Sequence, residues 1–323
     1  MALGRMKALV SIVITTFNRA DMVSRAIRSA LAQTLKDIEI LVIDDGSTDG
    51  TQDVVGSFDD PRIRYLRSEE NRGAVWAANR GITEASSELV AFLDSDDEAR
   101  PRWAEKLWEA FQEEAQVGMA WPFKAWWGPD GEFLGLSESR DLLGKRPKSL
   151  VPIMARWTPG WGGVMFRRAV FDRIGMCDPQ VSAVSDRDFA LRFAVDGTWG
   201  FRVVREVLYD VHCHGGSHHA SARDPAYASH VEAFLRKHET VFAGLPRIHG
   251  MWLYKLARAY YAAGLESDGD RCLVASVRRW PLAAKPLAYL MTRKLGVEGA
   301  WQRAAALLAD LRTIAANRGR NPV

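Results

Sequence analysis

The sequence predicts an α/β protein with a mostly parallel sheet flanked by helices, followed by a C-terminal helical region. Three observations carry this. Between residues 8 and 95, short β-branched runs alternate with segments of helical spacing, the pattern of parallel βαβ units. Polar residues gather at the ends of three of those runs. Beyond about residue 221 the apolar residues fall into helical stripes to the end of the chain.

Taken in order, "ALVSIVIT" reads as a strand buried on both faces. "DMVSRAIRSALAQT" has helical spacing, with Val23, Ile27, Ala30 and Leu31 on one face. "IEILVID" is a second strand, and "STDGTQDVVGSF" a short helix opened by a capping Ser or Thr. "RIRYLRS" is a third strand, "NRGAVWAANRGITEA" a helix capped by Asn71, and "ELVAFLDS" a fourth strand. From about 118 to 215 the pattern is irregular and rich in Trp, Gly and Pro. Helical stripes then return in 226–242, 249–264, 268–281 and 298–313. This divides the chain into 1–117, 118–221 and 222–323, the first two being halves of one domain.

The 323 residues allow a large core, and 47% hydrophobic with 26% charged residues is ordinary globular composition. A formal charge of +3 is compatible with anionic small molecules or a lipid surface and gives no footprint for nucleic acid. Three scattered cysteines without a CxxC suggest a reducing compartment. The N-terminal apolar run is too short to span a bilayer and reads as a buried strand.

In open α/β sheets ligands bind beyond the carboxyl ends of the strands. Thr15, Thr16 and Asn18 follow the first strand, Asp44 and Asp45 the second, and Asp94, Asp96 and Asp97 the fourth. Carboxylates this close repel unless something neutralises them. A hard divalent cation does so, and it bridges a diphosphate in the same act. The alternative is a solvated acidic turn ahead of a helix.

"VSIVITTFNR", "LVIDDGSTDGT", "NRGAVWAANRGI" and "FLDSDDEARP" occur in this order. The ordered set resembles the nucleotide-binding half of the family 2 glycosyltransferases, and the resemblance extends over roughly residues 8–215. It implies the GT-A fold with its Rossmann-like sheet. It also implies a nucleotide diphosphate sugar donor, a divalent Mn²⁺ or Mg²⁺, and inversion at the anomeric carbon. On this resemblance Thr15 and Phe17 cradle the base, with Phe17 stacking on it. Asp45, with Asp44 as a second candidate, accepts the uracil N3–H, which favours UDP. Arg72 and Asn79 flank the nucleotide. Asp94-Ser95-Asp96 is the DxD element: Asp96 ligates the metal, and Asp94 binds ribose or shares the metal. Asp97 is read as a helix-capping acid ahead of Pro101.

In the second half, "SDRDFALR" resembles the segment that carries the family's general base, with Ser185 where Glu is usual. Asp186 falls on the base position and Asp188 is the fallback; an N-cap is the other reading of Asp186. "HGGS" resembles the segment in which a His reaches the metal or diphosphate, here His214. His212, Cys213, His218 and His219 do not have zinc-finger spacing. Trp157 and Trp161, set among Gly and Pro, are acceptor-site candidates, with core packing as the competing reading. The basic C-terminal helices fit either a solvated helical subdomain or a membrane- or partner-docking module.

The expected activity is metal-dependent transfer of a sugar to a saccharide, lipid-linked or other hydroxyl acceptor, in polysaccharide or glycoconjugate biosynthesis. A nucleotidyltransferase, or a catalytically decayed nucleotide-sugar-binding protein, are the alternatives. The expected location is cytoplasmic, with peripheral contact at the inner face of the membrane left open.

Overall fold

The structure is a computed structural model and describes residues 8–137, 150–214 and 225–294. The chain divides into two compact units, Met1–His219 and Ala220–Val323.

The first unit is built on one sheet. Its strands are β1 (Val10–Thr16), β2 (Ile38–Asp44), β3 (Ile63–Arg67), β4 (Leu89–Phe92), β5 (Glu98–Ala99), β6 (Val117–Trp127), β7 (Phe133–Ser137), β8 (Met165–Arg167) and β9 (Gly200–His212). The helices are α1 (Ala20–Leu31), α2 (Thr51–Gly56), α3 (Ala74–Glu84), α4 (Trp103–Glu113), α5 (Val151–Met154), α6 (Arg168–Ile174) and α7 (Ser185–Asp196). The strand order is β3-β2-β1-β4-β8-β6-β9-β5, with β7 beside β6. Pairing is parallel from β3 to β4 and between β6 and β9. It is antiparallel around β8, β5 and β7. The expected parallel sheet is therefore present, extended by a mixed half.

Successive side chains on a strand point to opposite faces, and both faces here are apolar. Val10, Ile12 and Ile14 of β1 with Ile40 and Val42 of β2 pack against Val23 and Ile27 of α1 and Trp103 and Leu107 of α4. Val13, Leu41 and Ile43 turn the other way, toward Val75 and Ile82 of α3 and Phe171, Phe189 and Phe193. Doubly buried strands explain why these runs are continuously hydrophobic rather than alternating.

Two helix starts differ from expectation. α2 takes Gly50 as its N-cap, without a Ser or Thr cap. Asp49 instead accepts the Thr51 N–H at 3.0 Å and its hydroxyl at 2.5 Å, because a carboxylate is the stronger acceptor. α3 begins on Gly73, not Asn71. Gly73 sits at φ 93°, a conformation that favours glycine. Its N–H is held by Asp45 at 2.7 Å, while Asn71 makes only a local contact to the same N–H at 3.1 Å.

The described part of the irregular stretch is built of strands and helices. β6 is buried along its first nine residues, so no alternation marks it. Its register against β9 shifts at Pro122/Phe123, where the proline has no N–H to give to a ladder.

The second unit contains α8 (Pro225–Lys237), α9 (Glu239–Ala243), α10 (Pro246–Ala262), α11 (Glu266–Arg279) and α12 (Ala284–Lys294). Phe234 is central to it, with ring centroids 4.9 Å from Trp252 and 5.5 Å from Phe242. The stripe at 298–313 lies outside the described residues. No helix among the described residues is long and apolar enough to cross a membrane.

Candidate functional site

The parallel strands β1, β2 and β4 end side by side. Thr16 is paired with Asp44, and Val13 with Phe92. Beyond β1 the chain turns through Asn18, a non-glycine residue at φ 50°. Asn18 holds that turn by giving its N–H to the Ser47 hydroxyl (2.9 Å) and accepting the Thr48 N–H (2.8 Å). Phe17 is left 39% exposed at the strand tip, and the Thr16 hydroxyl is buried without a partner among the described residues.

The two acids after β2 have different environments. Asp44 is fully buried. It accepts the Ser47 N–H at 2.9 Å and the Tyr65 hydroxyl, and faces Arg67 at 3.7 Å. These contacts make it an anchor for the β2–β3 tips rather than a group open to a base. Asp45 accepts the N–H groups of Arg72 (2.8 Å) and Gly73 (2.7 Å), one on each oxygen. Asp45 is also buried, at 3% exposed, and each carboxylate oxygen keeps a second acceptor position. The Arg72 guanidinium lies over Trp76 at 5.0 Å. Asn79 is not brought to the strand tips by its amide. It gives an N–H to the Cys177 carbonyl (2.9 Å) and accepts the Cys177 N–H (3.0 Å).

The acids after β4 form the centre. Asp94 lies against Gly162, where an added Cβ would meet its carboxylate and come within 2.7 Å of the Tyr209 hydroxyl. Burial, then the charges of Asp96 and Asp186, push the Asp94 carboxyl up to about 6, against the opposing pull of Lys124. Asp96 is more open. Its carboxylate lies 2.9 Å from His214 Nε2 and 3.8 Å from Arg19, and its carbonyl accepts from Arg25. Asp97 does not cap a helix, since α4 starts six residues later at Trp103, with Arg102 as its N-cap. Asp97 is 4% exposed and accepts the His212 N–H at 3.0 Å. The Tyr209 hydroxyl also donates to it while accepting the Asp94 N–H at 3.0 Å. Burial, with Asp94 beside it, raises the Asp97 carboxyl well above the usual range.

Beneath these acids lies Lys124, 7% exposed. Its ammonium donates to the carbonyls of Pro159 (2.7 Å) and Gly162 and lies 5.4 Å from the Tyr209 ring. Burial lowers its pKa, while Asp94, Asp97 and Asp186 act to keep the charge. One lysine thus fixes the 159–162 loop and offsets three carboxylates.

That loop and α7 bound a small hollow lined by Thr158, Pro159, Gly160, Trp161, Asp186 and Phe189, among others. Asp186 stands in the first turn of α7 and is not its N-cap, which is Val184. Burial raises its carboxyl above the usual range. Asp188 is fully buried and paired with Arg192 at 2.8 Å. Arg192 also grips the carbonyls of Gly175 (3.0 Å) and Met176 (2.8 Å), so Asp188 acts as a structural anchor. Trp161 is half-buried, with rings of Phe92 and Phe189 at 5.1 Å, and one part lines the hollow. Trp157 packs 6.4 Å from Trp121. His218 and His219 lie outside the described residues.

Among the described residues no group of three or more His, Cys, Asp or Glu side chains is placed to hold a metal. A divalent cation at a diphosphate needs fewer, since one or two carboxylates suffice when water and phosphate oxygens complete the shell. The partly exposed Asp96 carboxylate and the adjacent His214 imidazole fit that smaller donor set.

Lys124, Tyr209, Arg19 and Arg25 belong to the site and escape sequence reading. A lone lysine inside "MAWPFKAWW" was the available signal, because a charge in an apolar strand demands a partner.

Comparison with known proteins bears on this site. The family model described as Glycosyl transferase family 2 matches residues 11–175. An uncharacterized glycosyltransferase of Nostoc sp. is 29% identical over 220 residues, covering 66% of this chain and 67% of its own. The UDP-Glc:alpha-D-GlcNAc-diphosphoundecaprenol beta-1,3-glucosyltransferase WfaP of Escherichia coli is 43% identical over 89 residues, 28% of this chain and 36% of its own length. The chain therefore matches only about a third of that relative. Among solved structures, S. aureus TarS in complex with UDP-GlcNAc superposes with a TM-score of 0.62 at 18% identity, over 91% of this chain and 92% of that one. The mannosyltransferase PcManGT of Pyrobaculum calidifontis, in complex with GDP-Man and Mn²⁺, gives 0.54 at 19% identity over 93% and 86%. At these identities the superpositions speak for the fold.

Proposed function

Because the chain belongs to glycosyl transferase family 2, and is a glycosyltransferase with the GT-A fold, we propose that it moves a sugar from a UDP-sugar to an acceptor hydroxyl with inversion. The acceptor is a lipid-linked saccharide, of the kind named for the E. coli relative. The setting is polysaccharide or glycoconjugate assembly at a membrane surface. The observation that carries the reading is that Asp186, in the wall of the Trp161 hollow, and Asp94, against Gly162, border one loop that the buried Lys124 holds by its carbonyls.

The donor half works by positioning. The exposed Phe17 ring offers a stacking face for the base, and Asp45 offers an acceptor for a uracil N–H. Asp96 with His214, and Asp94 behind them, would hold Mn²⁺ or Mg²⁺, which when bound neutralises charge on the departing diphosphate. Arg19, near the Asp96 carboxylate, and Arg25, on its carbonyl, supply cationic N–H groups for the same diphosphate oxygens.

The acceptor half supplies the base. A sugar hydroxyl attacks poorly until its proton is taken, and Asp186 takes that proton on its carboxylate. Burial raises its pKa, which makes it a stronger base than an exposed aspartate. Trp161 gives the acceptor sugar an aromatic wall, while Trp157 packs against Trp121. The reading is tested by thermal-shift titration with UDP, GDP and their sugars, with and without Mn²⁺. A UDP compound should raise the melting temperature, more so with metal, and Asp96→Ala should lose the metal-dependent part. Absence of a shift with every nucleotide diphosphate would sink it.

A further inference from the structure

The turn between α11 and α12 serves no packing purpose for its most apolar residue. Leu282 is 91% exposed. It stands at the tip of a tight turn closed by the Ala283 N–H on the Trp280 carbonyl at 3.1 Å, with Pro281 restricting the backbone beside it. The inner side of this corner is fastened. Ala283 is 4% exposed, and the buried Ser276 gives its hydroxyl to the Gly250 carbonyl at 2.6 Å. Leu282 is therefore held outward on a fixed support.

The apolar surface continues along α12. Leu287 and Met291 are 38% and 58% exposed. They lie four residues apart on one helical face, below the exposed Ala284. Single exposed leucines are common on protein surfaces, but this surface also has a one-sided charge. From Arg271 to Val297 there is no acidic residue, against six basic ones. Arg271 and Arg293 are paired with Asp268 and Asp270, whereas Arg278, Arg279 and Lys285 are exposed around the leucine tip.

A second copy of this chain is a poor occupant, because a symmetric contact would bring these cations against their own images. A nucleic acid would take the cations and leave the apolar stripe wet. An anionic bilayer accepts both: basic side chains at the phosphates, with Leu and Trp at the acyl boundary. We propose that the α11–α12 turn, with Leu282 at its tip and Arg278, Arg279 and Lys285 around it, docks this enzyme on anionic lipid. The proposal deepens the reading of a membrane-borne acceptor and rests on it for its purpose.

The full chain is sedimented with vesicles of phosphatidylcholine plus phosphatidylglycerol, and with phosphatidylcholine alone. Binding should require phosphatidylglycerol and weaken as salt is raised. Each of Arg278→Gln, Arg279→Gln and Lys285→Gln should weaken it about fivefold, and Leu282→Gln about tenfold. All four variants should keep the parent's melting temperature and its shift with UDP. Equal binding to neutral vesicles, no binding to either, or variants that bind like the parent would each overturn the proposal. So would self-association without vesicles that Leu282→Gln abolishes. The UDP shift on the same samples separates the two readings. Lost vesicle binding with the shift retained removes the docking surface alone, and a missing shift with vesicle binding retained removes the donor reading alone.

Discussion

At the scale of single residues, Lys124 and Asp186 give the most separable expectations. Asp186→Asn keeps shape but cannot accept a proton, so turnover should fall about 10²–10⁴-fold with the UDP shift unchanged. Asp188→Asn leaves Arg192 facing a neutral amide inside the core, so it should lower the melting temperature instead. Steady-state kinetics beside thermal melts decide the pair, and an active Asp186→Asn enzyme would move the base elsewhere. The Lys124 effect has a definite sign. Its charge pulls the Asp94 and Asp186 carboxyls down against burial. Without it both ionise later as pH rises, so the acid limb of the pH–rate profile of Lys124→Met should move to higher pH. A limb that stays in place would mean that the cation does not act on the base. Gly162→Ala should also cost turnover strongly, because its methyl group would occupy the Asp94 carboxylate position. The cluster of acids at the β4 tip was legible from the sequence itself, and the roles of Asp45 and Asp186 came from the family resemblance. Lys124, Tyr209 and Arg25 were not, because their partners come from strands and loops more than thirty residues away.

At the scale of elements, legibility followed burial pattern. The β1–β4 strands announced themselves as β-branched runs bounded by turn residues, and their helices by spacing. The β6–β9 half did not. β6 is buried along its first nine residues and shifts register against β9 at Pro122, and β8 is three residues long. The α3 start was misread because an acid distant in sequence, Asp45, takes the Gly73 N–H. The Asn79 contact tests an element-level role directly. Its amide joins α3 to the Cys177 backbone, 98 residues away. Asn79→Ala should therefore destabilise by about 1–3 kcal/mol, the cost of leaving buried groups unpaired, with the donor KM unchanged. A raised donor KM at an unchanged melting temperature would return Asn79 to the nucleotide site.

At the scale of the molecule, the match over residues 11–175 removes the nucleotidyltransferase alternative, and the order of four weak motifs had pointed the same way. Each compact unit has its own buried cluster: strand and helix residues between Val10 and Val211 in the first, Phe234 and its ring neighbours in the second. A fragment ending at His219 should thus unfold cooperatively on heating and keep the UDP shift while losing vesicle binding. A molten fragment, followed by near-UV circular dichroism, would show the units to be one folding entity. The strand order also sets a clock during synthesis. β4 pairs with β1 on one edge and β8 on the other, but Met165 lies 73 residues beyond Phe92. At about 5–20 residues per second, the ribosome leaves the "LVAF" edge without its second neighbour for about 4–15 s. Throughout that interval the nascent chain carries an open, fully apolar strand edge, so any insertion between residues 93 and 164 lengthens the period in which it can pair with the wrong chain.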